Sequence, residues 1–177
     1  MIGPLLPEPD DDEVAEWMRL NAFTGPPERL VYRDEGYEPR YCHVASKHHA
    51  VKHGGRRLHG WAIWRFVDTS GASIIISEHH SVWETPSGVL VDVTPPASGG
   101  SAILFLRDDA ATISLAGSDF VMRTDRTNFA DLPRMLLGSP VPDEHWTLRI
   151  TKGSPQDLYA SKIGFDWADF PTSPELG

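Results

Sequence analysis

The first apolar pattern in the chain is typical of a short surface helix. Val14, Trp17 and Met18 recur at helical spacing and so form one apolar stripe. Asp12 can cap this helix, and Gly25-Pro26-Pro27 ends it. The pattern predicts a helix that packs through its stripe, preceded by an extended lead-in over residues 1–8.

A second helix is predicted over residues 41–53, which contain neither glycine nor proline. The segment ends at Gly54-Gly55, a pair that suits a helix C-terminus. Helical spacing places these residues on one side: Cys42, Ala45, Ser46, His49 and His53. The only cysteine of the chain therefore lies in the first turn of this helix.

Runs rich in β-branched and aromatic residues predict strands in the rest of the chain. We expect strands over residues 58–67, 74–84, 89–94, 102–106, 120–123 and 146–150. Short helices are expected over residues 131–137 and 154–163. This order predicts the α+β class, with the Cys-bearing helix packed on a mostly antiparallel sheet. We expect a lead-in and short helix in residues 1–30 and a single α+β domain in 31–177, with the candidate catalytic core at 41–95.

The turn between the strands at 74–84 and 89–94 predicts their register. Thr85-Pro86-Ser87-Gly88 has proline second and glycine fourth, which suits a type I turn followed by a left-handed bulge residue. This turn places His80 and Asp92 on one face of the hairpin as diagonal neighbours, within side-chain reach. A four-residue loop would shift the register by one and give that position to His79.

Composition narrows the classes of protein. The 177 residues suit one ordinary domain, and one cysteine permits no internal disulfide. A formal net charge of -9 argues against nonspecific nucleic-acid binding. No apolar run reaches the length of a membrane span, so we expect no membrane partner and a cytoplasmic location, where the thiol stays reduced. We expect no cofactor, and the sequence leaves the oligomeric state open.

Cys42, His80 and Asp92 together outline an activated thiol. A helix N-terminus favours the thiolate form of a cysteine through its free N–H groups and partial positive charge. His80 would take the thiol proton, and Asp92 would fix the tautomer of the imidazole and stabilise its charged form. The backbone N–H of Cys42 could contribute to an oxyanion hole.

This order of residues, on a helix followed by a hairpin, resembles the papain-like superfamily and particularly its transglutaminase-like branch. The resemblance covers residues 41–95 and includes Val91-Asp92-Val93-Thr94-Pro95. It implies Cys42 as nucleophile, His80 as base and Asp92 as the residue that orients the base. The implied activity is that of a cysteine-dependent amide hydrolase or acyl transferase, such as a peptidase, a deamidase or a transglutaminase-like enzyme. Its substrate would be a peptide, a protein or a small amide.

The same segment also looks like a set of uncharacterised bacterial proteins. The similarity rests on Cys42-His43, Gly54-Gly55, Gly60-Trp61 and the run from His80 to Trp83. It implies no activity.

Aromatic and basic residues leave two interpretations open. Trp61 and Trp83 could wall a substrate groove, and Arg56 and Arg57 could receive an anionic group, although large rings on strands more often make core. Alternatively, the same surface could hold a partner in a noncatalytic binding module of this fold, with Cys42 as a bystander.

Histidines keep a metal interpretation open as a third function. A zinc-dependent hydrolase could use Glu78, His80 and Asp92 as ligands, and His49 and His53 have the i, i+4 spacing that can place two imidazoles on one ion. The helix lacks the glutamate of the His-Glu-x-x-His motif, and there is no Cys-x-x-Cys pair. The pattern therefore favours the thiol.

Overall fold

A helix, a strand and a second helix precede a series of antiparallel strands. The computed structural model describes residues 4–67, 69–96, 99–111, 113–116, 119–124, 135–136, 139–140 and 146–165. In chain order the elements are α1 (Asp12–Leu20), β1 (Glu28–Val31), α2 (Cys42–His53), β2 (Arg56–Val67), β3 (Ser73–Glu84), β4 (Leu90–Val91), β5 (Ala102–Arg107), β6 (Ile113–Ala116), β7 (Asp119–Thr124), β8 (Met135–Leu136), β9 (Ser139–Pro140), β10 (Trp146–Ile150) and α3 (Pro155–Lys162).

The main sheet has the strand order β1-β5-β2-β3-β4, and its neighbours are antiparallel. The long β2–β3 hairpin forms its centre, and its register pairs Gly60 with His80 and Trp61 with His79. Smaller sheets have the orders β10-β7-β6 and β8-β9. The α+β prediction is confirmed.

Alternation along β2 and β3 separates two buried faces. The face that bears Trp61 packs against Val14 and Trp17 of α1. The other face includes Val82 and Phe105. Because side chains alternate, His79 lies on the Trp61 face and His80 on the Phe105 face.

Helices form near residues 12, 42 and 155 as predicted, but the N-cap of α1 is Asp11 and not Asp12. Tyr41 is the N-cap of α2, and Gly54 follows its end with φ 76°. Ser154 caps α3 by accepting a hydrogen bond from the Asp157 N–H, as a serine before a first-turn proline should.

The N-terminal segment pairs with the main sheet at two places. Strand β1, which the sequence did not predict, pairs with β5 across the expected boundary at residue 30. Leu5 also forms a bridge with Arg65. Both pairings join residues before position 32 to strands of the main sheet.

Two further predictions need correction. The strand expected at 89–94 is regular only over Leu90–Val91, and Asp92 then forms an isolated parallel bridge with Tyr32. The helix expected at 131–137 is wrong at Met135 and Leu136, because their backbone pairs with Ser139–Pro140. Residues 131–134 and 137 lie outside the described residues.

Candidate functional site

Cys42 is the first residue of α2, and its thiol is free and largely buried, with 7% of the residue exposed. The N–H groups of Val44 and Ala45 donate to the Tyr41 carbonyl. No side chain caps the helix. The amides of Cys42 and His43 are thus the helix-terminal donors without an intrahelical acceptor.

Asp92 is fully buried and is held by two hydrogen bonds. Its Oδ1 accepts a hydrogen bond from the Thr94 N–H at 3.0 Å, and its carbonyl accepts from the Arg33 N–H at 2.8 Å. The second of these bonds belongs to the isolated parallel bridge between Tyr32 and Asp92. The second carboxylate oxygen, Oδ2, is therefore available to interact with another side chain.

That neighbour is His80. Nε2 of His80 lies 3.2 Å from Oδ2 of Asp92, with 11% of the His80 side chain exposed. Neither of these two atoms has a hydrogen-bond partner of good geometry. Their contact is therefore an ion pair and not a well-aligned hydrogen bond. The contact therefore acts mainly through charge.

The thiol of Cys42 lies on the same imidazole. Burial lowers the pKa of His80, but the charge of Asp92 and the contact with Cys42 outweigh it and raise this pKa well above 6.5. The arrangement favours a proton on His80 between two groups that can each be negative.

The hairpin turn that places His80 has the predicted geometry. Gly88 has φ 85°, the Thr85 N–H donates to the Val89 carbonyl, and the Gly88 N–H donates to the Thr85 carbonyl. Trp83 consequently pairs with Val91. The register prediction is confirmed, and the one-residue alternative that favoured His79 is wrong.

His79 belongs to a second group of buried histidines on the opposite face of β3. We call His43, His59 and His79 the histidine layer; their ring centroids are 4.9 to 6.2 Å apart. Burial and then the neighbouring histidines lower the pKa of His43 well below 6.5 and that of His79 to about 3. These two rings are therefore neutral at physiological pH.

Ser81 joins two members of the layer. Its Oγ lies 2.7 Å from Nδ1 of His43 and 2.9 Å from Nδ1 of His59. Strand alternation alone indicates that His79 and Ser81 share a face, but the contact with His43 joins residues far apart in sequence, and no local pattern could have revealed it.

The four residues predicted to bind substrate all have polar partners within the protein. Trp61 is fully buried and donates from Nε1 to Asp108 Oδ2 at 2.8 Å. Arg57 is 1% exposed and donates to the His43 carbonyl at 2.9 Å. Trp83 donates to the Gly54 carbonyl, and Arg56 pairs with Glu84. Trp61, Trp83 and Arg57 are core residues because each buries its side chain against a polar partner, and this burial argues against a groove-lining role.

The metal interpretation gains no support from the geometry. Within the described residues, no group of three or more His, Cys, Asp and Glu side chains is arranged to hold an ion. Glu78 is exposed, whereas His80 and Asp92 are buried. The rings of His49 and His53 are tilted relative to each other, with centroids 4.2 Å apart, and both lie beside Trp83.

Searches against known proteins found no relative. No family model, no curated protein and no solved structure matches the chain significantly. In the part of the chain that the structure describes, no helix combines the length and apolar character that crossing a membrane requires.

Proposed function

We propose that this protein is a cysteine-dependent amide hydrolase or acyl transferase in which Cys42 is the nucleophile, His80 the acid and base, and Asp92 the residue that holds the charge on His80. The observation that carries the proposal is the position of one imidazole between the only thiol of the chain and a fully buried carboxylate. Such a position favours a thiolate–imidazolium pair, the reactive form of a thiol nucleophile.

The reaction would use two transfers. The Cys42 thiolate forms a bond to the carbonyl carbon of an amide, and His80 donates its proton to the leaving nitrogen as the C–N bond breaks. The product is a thioester on Cys42 and a free amine or ammonia. His80 then takes a proton from water or from an acceptor amine, which attacks the thioester and releases an acid or a new amide.

The N-terminus of α2 would stabilise the negative charge that develops on the carbonyl oxygen of the substrate. The amides of Cys42 and His43 lie at the positive end of the helix and lack intrahelical acceptors, so they are suited to stabilise an oxyanion. The partners are accordingly a peptide, a protein or a small amide. A reducing compartment such as the cytoplasm would keep Cys42 free for this chemistry.

A noncatalytic binding module is the second candidate, and the low exposure of Cys42 favours it. With 7% of the residue exposed, an incoming carbonyl has little room at the sulfur. This candidate predicts that Cys42→Ala leaves function intact. The contact between Cys42 and His80 favours the enzyme instead, because a sealed structural thiol needs no charged neighbour.

Alkylation by iodoacetamide tests the thiolate directly, because every label on this chain reports Cys42. An ordinary thiol titrates near 8.5, so its thiolate fraction falls about 75-fold between pH 8 and pH 6. We expect the rate for the wild-type protein to fall by less than about fivefold over this interval. His80→Ala should restore the ordinary slope, while His53→Ala, an exposed position on the same helix, should not. An ordinary slope in the wild type that His80→Ala leaves unchanged would reject the proposal.

The type of transfer can be assigned with a glutamine-containing peptide, with and without a primary amine. Ammonia release without the amine indicates a deamidase, amine incorporation a transglutaminase-like enzyme, and a shortened peptide a peptidase. Cys42→Ala should abolish any such turnover. Turnover that survives this substitution would exclude Cys42 as the nucleophile.

A further inference from the structure

The residues next to the proposed nucleophile and base are themselves joined. His43 follows Cys42 on α2, Ser81 follows His80 on β3, and Nδ1 of His43 lies 2.7 Å from Oγ of Ser81. A second bond runs alongside, since Ser46 Oγ donates to the Ser81 carbonyl at 2.8 Å. α2 and β3 are therefore joined at His43 and Ser81, the residues that directly follow the proposed nucleophile and base.

From this juxtaposition we propose that His43 and Ser81 are positioning residues. They hold the first turn of α2 against β3, so that the Cys42 thiol stays in contact with the His80 imidazole. The inference rests on the proposed function. It adds two residues that touch neither substrate nor the reacting atoms.

The environment of the pair makes it rigid. Ser81 is fully buried and His43 is 4% exposed. The backbone of His43 is also held, because Arg57 Nη1 donates to its carbonyl at 2.9 Å. Water therefore competes little for these bonds, and breaking one leaves a polar group without a partner in the interior.

The hydroxyl of Ser81 also couples the hydrogen-bond roles of Nδ1 in His43 and Nδ1 in His59. It has one proton, so it donates to Nδ1 of one histidine and accepts from Nδ1 of the other, His43 or His59. Burial keeps the pKa of His43 well below 6.5. The link thus keeps one hydrogen-bond pattern across the range in which a thiolate–imidazolium pair would work.

Ser81→Ala tests the proposal, with Ser77→Ala as its matched control. Ser77 lies on the same strand and the same face, is also buried, and its Oγ has no hydrogen-bond partner in the structure. We expect Ser81→Ala to lower the rate of Cys42 alkylation at pH 6 by at least about tenfold and to steepen the pH profile toward that of an ordinary thiol. Ser77→Ala should leave both unchanged.

A second pair of variants separates positioning from bulk packing. His43→Asn keeps a nitrogen or oxygen near the place of Nδ1 and should retain much of the low-pH reactivity, while His43→Leu should lose it. A lower melting temperature in Ser81→Ala with an unchanged pH profile would overturn the proposal, as would equal profiles for His43→Asn and His43→Leu. A wild-type thiol with an ordinary profile that His80→Ala does not alter would instead reject the function itself.

Discussion

His80 Nε2 lies 3.2 Å from Oδ2 of Asp92, a carboxylate with no exposed side-chain surface. A buried carboxylate is costly unless a positive charge or donors accompany it. Here its Oδ1 has the Thr94 N–H, and Oδ2 has only the imidazole. The pair therefore favours protonation of His80.

Asp92→Asn should weaken the reactive thiolate. The amide keeps the shape of the side chain but removes the charge that raises the pKa of His80, so the imidazolium loses its main support. We expect the alkylation rate of Cys42 at pH 6 to fall by about tenfold or more. Thr94→Val is the control, because it keeps the backbone N–H that bonds Asp92 and removes only a hydroxyl without a partner. Equal rates for wild type and Asp92→Asn would contradict the role of the charge.

Local chemistry explains why this pair was predictable from sequence. The glycine at position 88 has the positive φ that a bulge after a type I turn requires, and this single turn defines which face every residue of β3 occupies. Gly54 follows the end of α2 with a positive φ, and the segment 41–53 without glycine or proline placed Cys42 in the first turn of this helix.

Other features depend on contacts between distant segments, and no local pattern indicates them. Strand β1 has one buried residue, Leu30, among three exposed ones, so it forms because β5 offers an edge. Arg57 would normally lie at a surface, but its guanidinium is drawn inward by the His43 carbonyl. The sequence alone predicts the hairpin of the site and not the histidine layer behind it.

Acid should destabilise the fold through His79. In the unfolded chain this histidine takes up a proton near pH 6.5, whereas burial and His59 lower its pKa to about 3 in the folded protein. The unfolded state therefore binds more protons throughout that window, and stability is complete above pH 6.5 and lost as the pH falls. The slope from this group approaches about 1.4 kcal/mol per pH unit.

Urea denaturation between pH 7.5 and pH 5 measures that slope. His79→Gln should make it shallower by up to about 1.4 kcal/mol per pH unit, because the amide can still donate to the Ala111 carbonyl but takes up no proton. His53→Gln, at an exposed position, should leave the slope unchanged. An identical slope in His79→Gln and the wild type would show that His79 is not the acid-sensitive group.

Trp61→Phe should reduce stability and spare the thiol. The substitution removes the donor to Asp108 and leaves a small void at a fully buried position, which together cost about 1–3 kcal/mol in the free energy of unfolding. Trp61 pairs with His79 and so lies on the face opposite His80. We therefore expect an unchanged pH profile of Cys42 alkylation. A normal melting temperature with weakened substrate binding would instead support the groove-wall role.

Gly60 lies directly opposite His80 in the sheet, and the structure leaves no room for a side chain there. A Cβ at this position would meet the Leu106 carbonyl oxygen at 2.2 Å and the ring of Phe105 at 2.6 Å. His80 also packs edge-on against that ring, with centroids 6.5 Å apart. A side chain at position 60 would thus displace the Phe105 ring, which packs against the proposed base His80.

Gly60→Ala should destabilise the protein by about 1–3 kcal/mol, and by more if the backbone of β5 cannot move. It should also lower the alkylation rate of Cys42 at pH 6, because a displaced Phe105 ring would no longer pack against His80 in the same position. Gly25→Ala is the matched control, since a Cβ there has nothing within 4 Å. Thermal melting and alkylation on the same samples separate the two effects, and a Gly60→Ala protein as stable as the Gly25→Ala protein would show that β2 and β5 are less tightly packed at this point than the structure indicates.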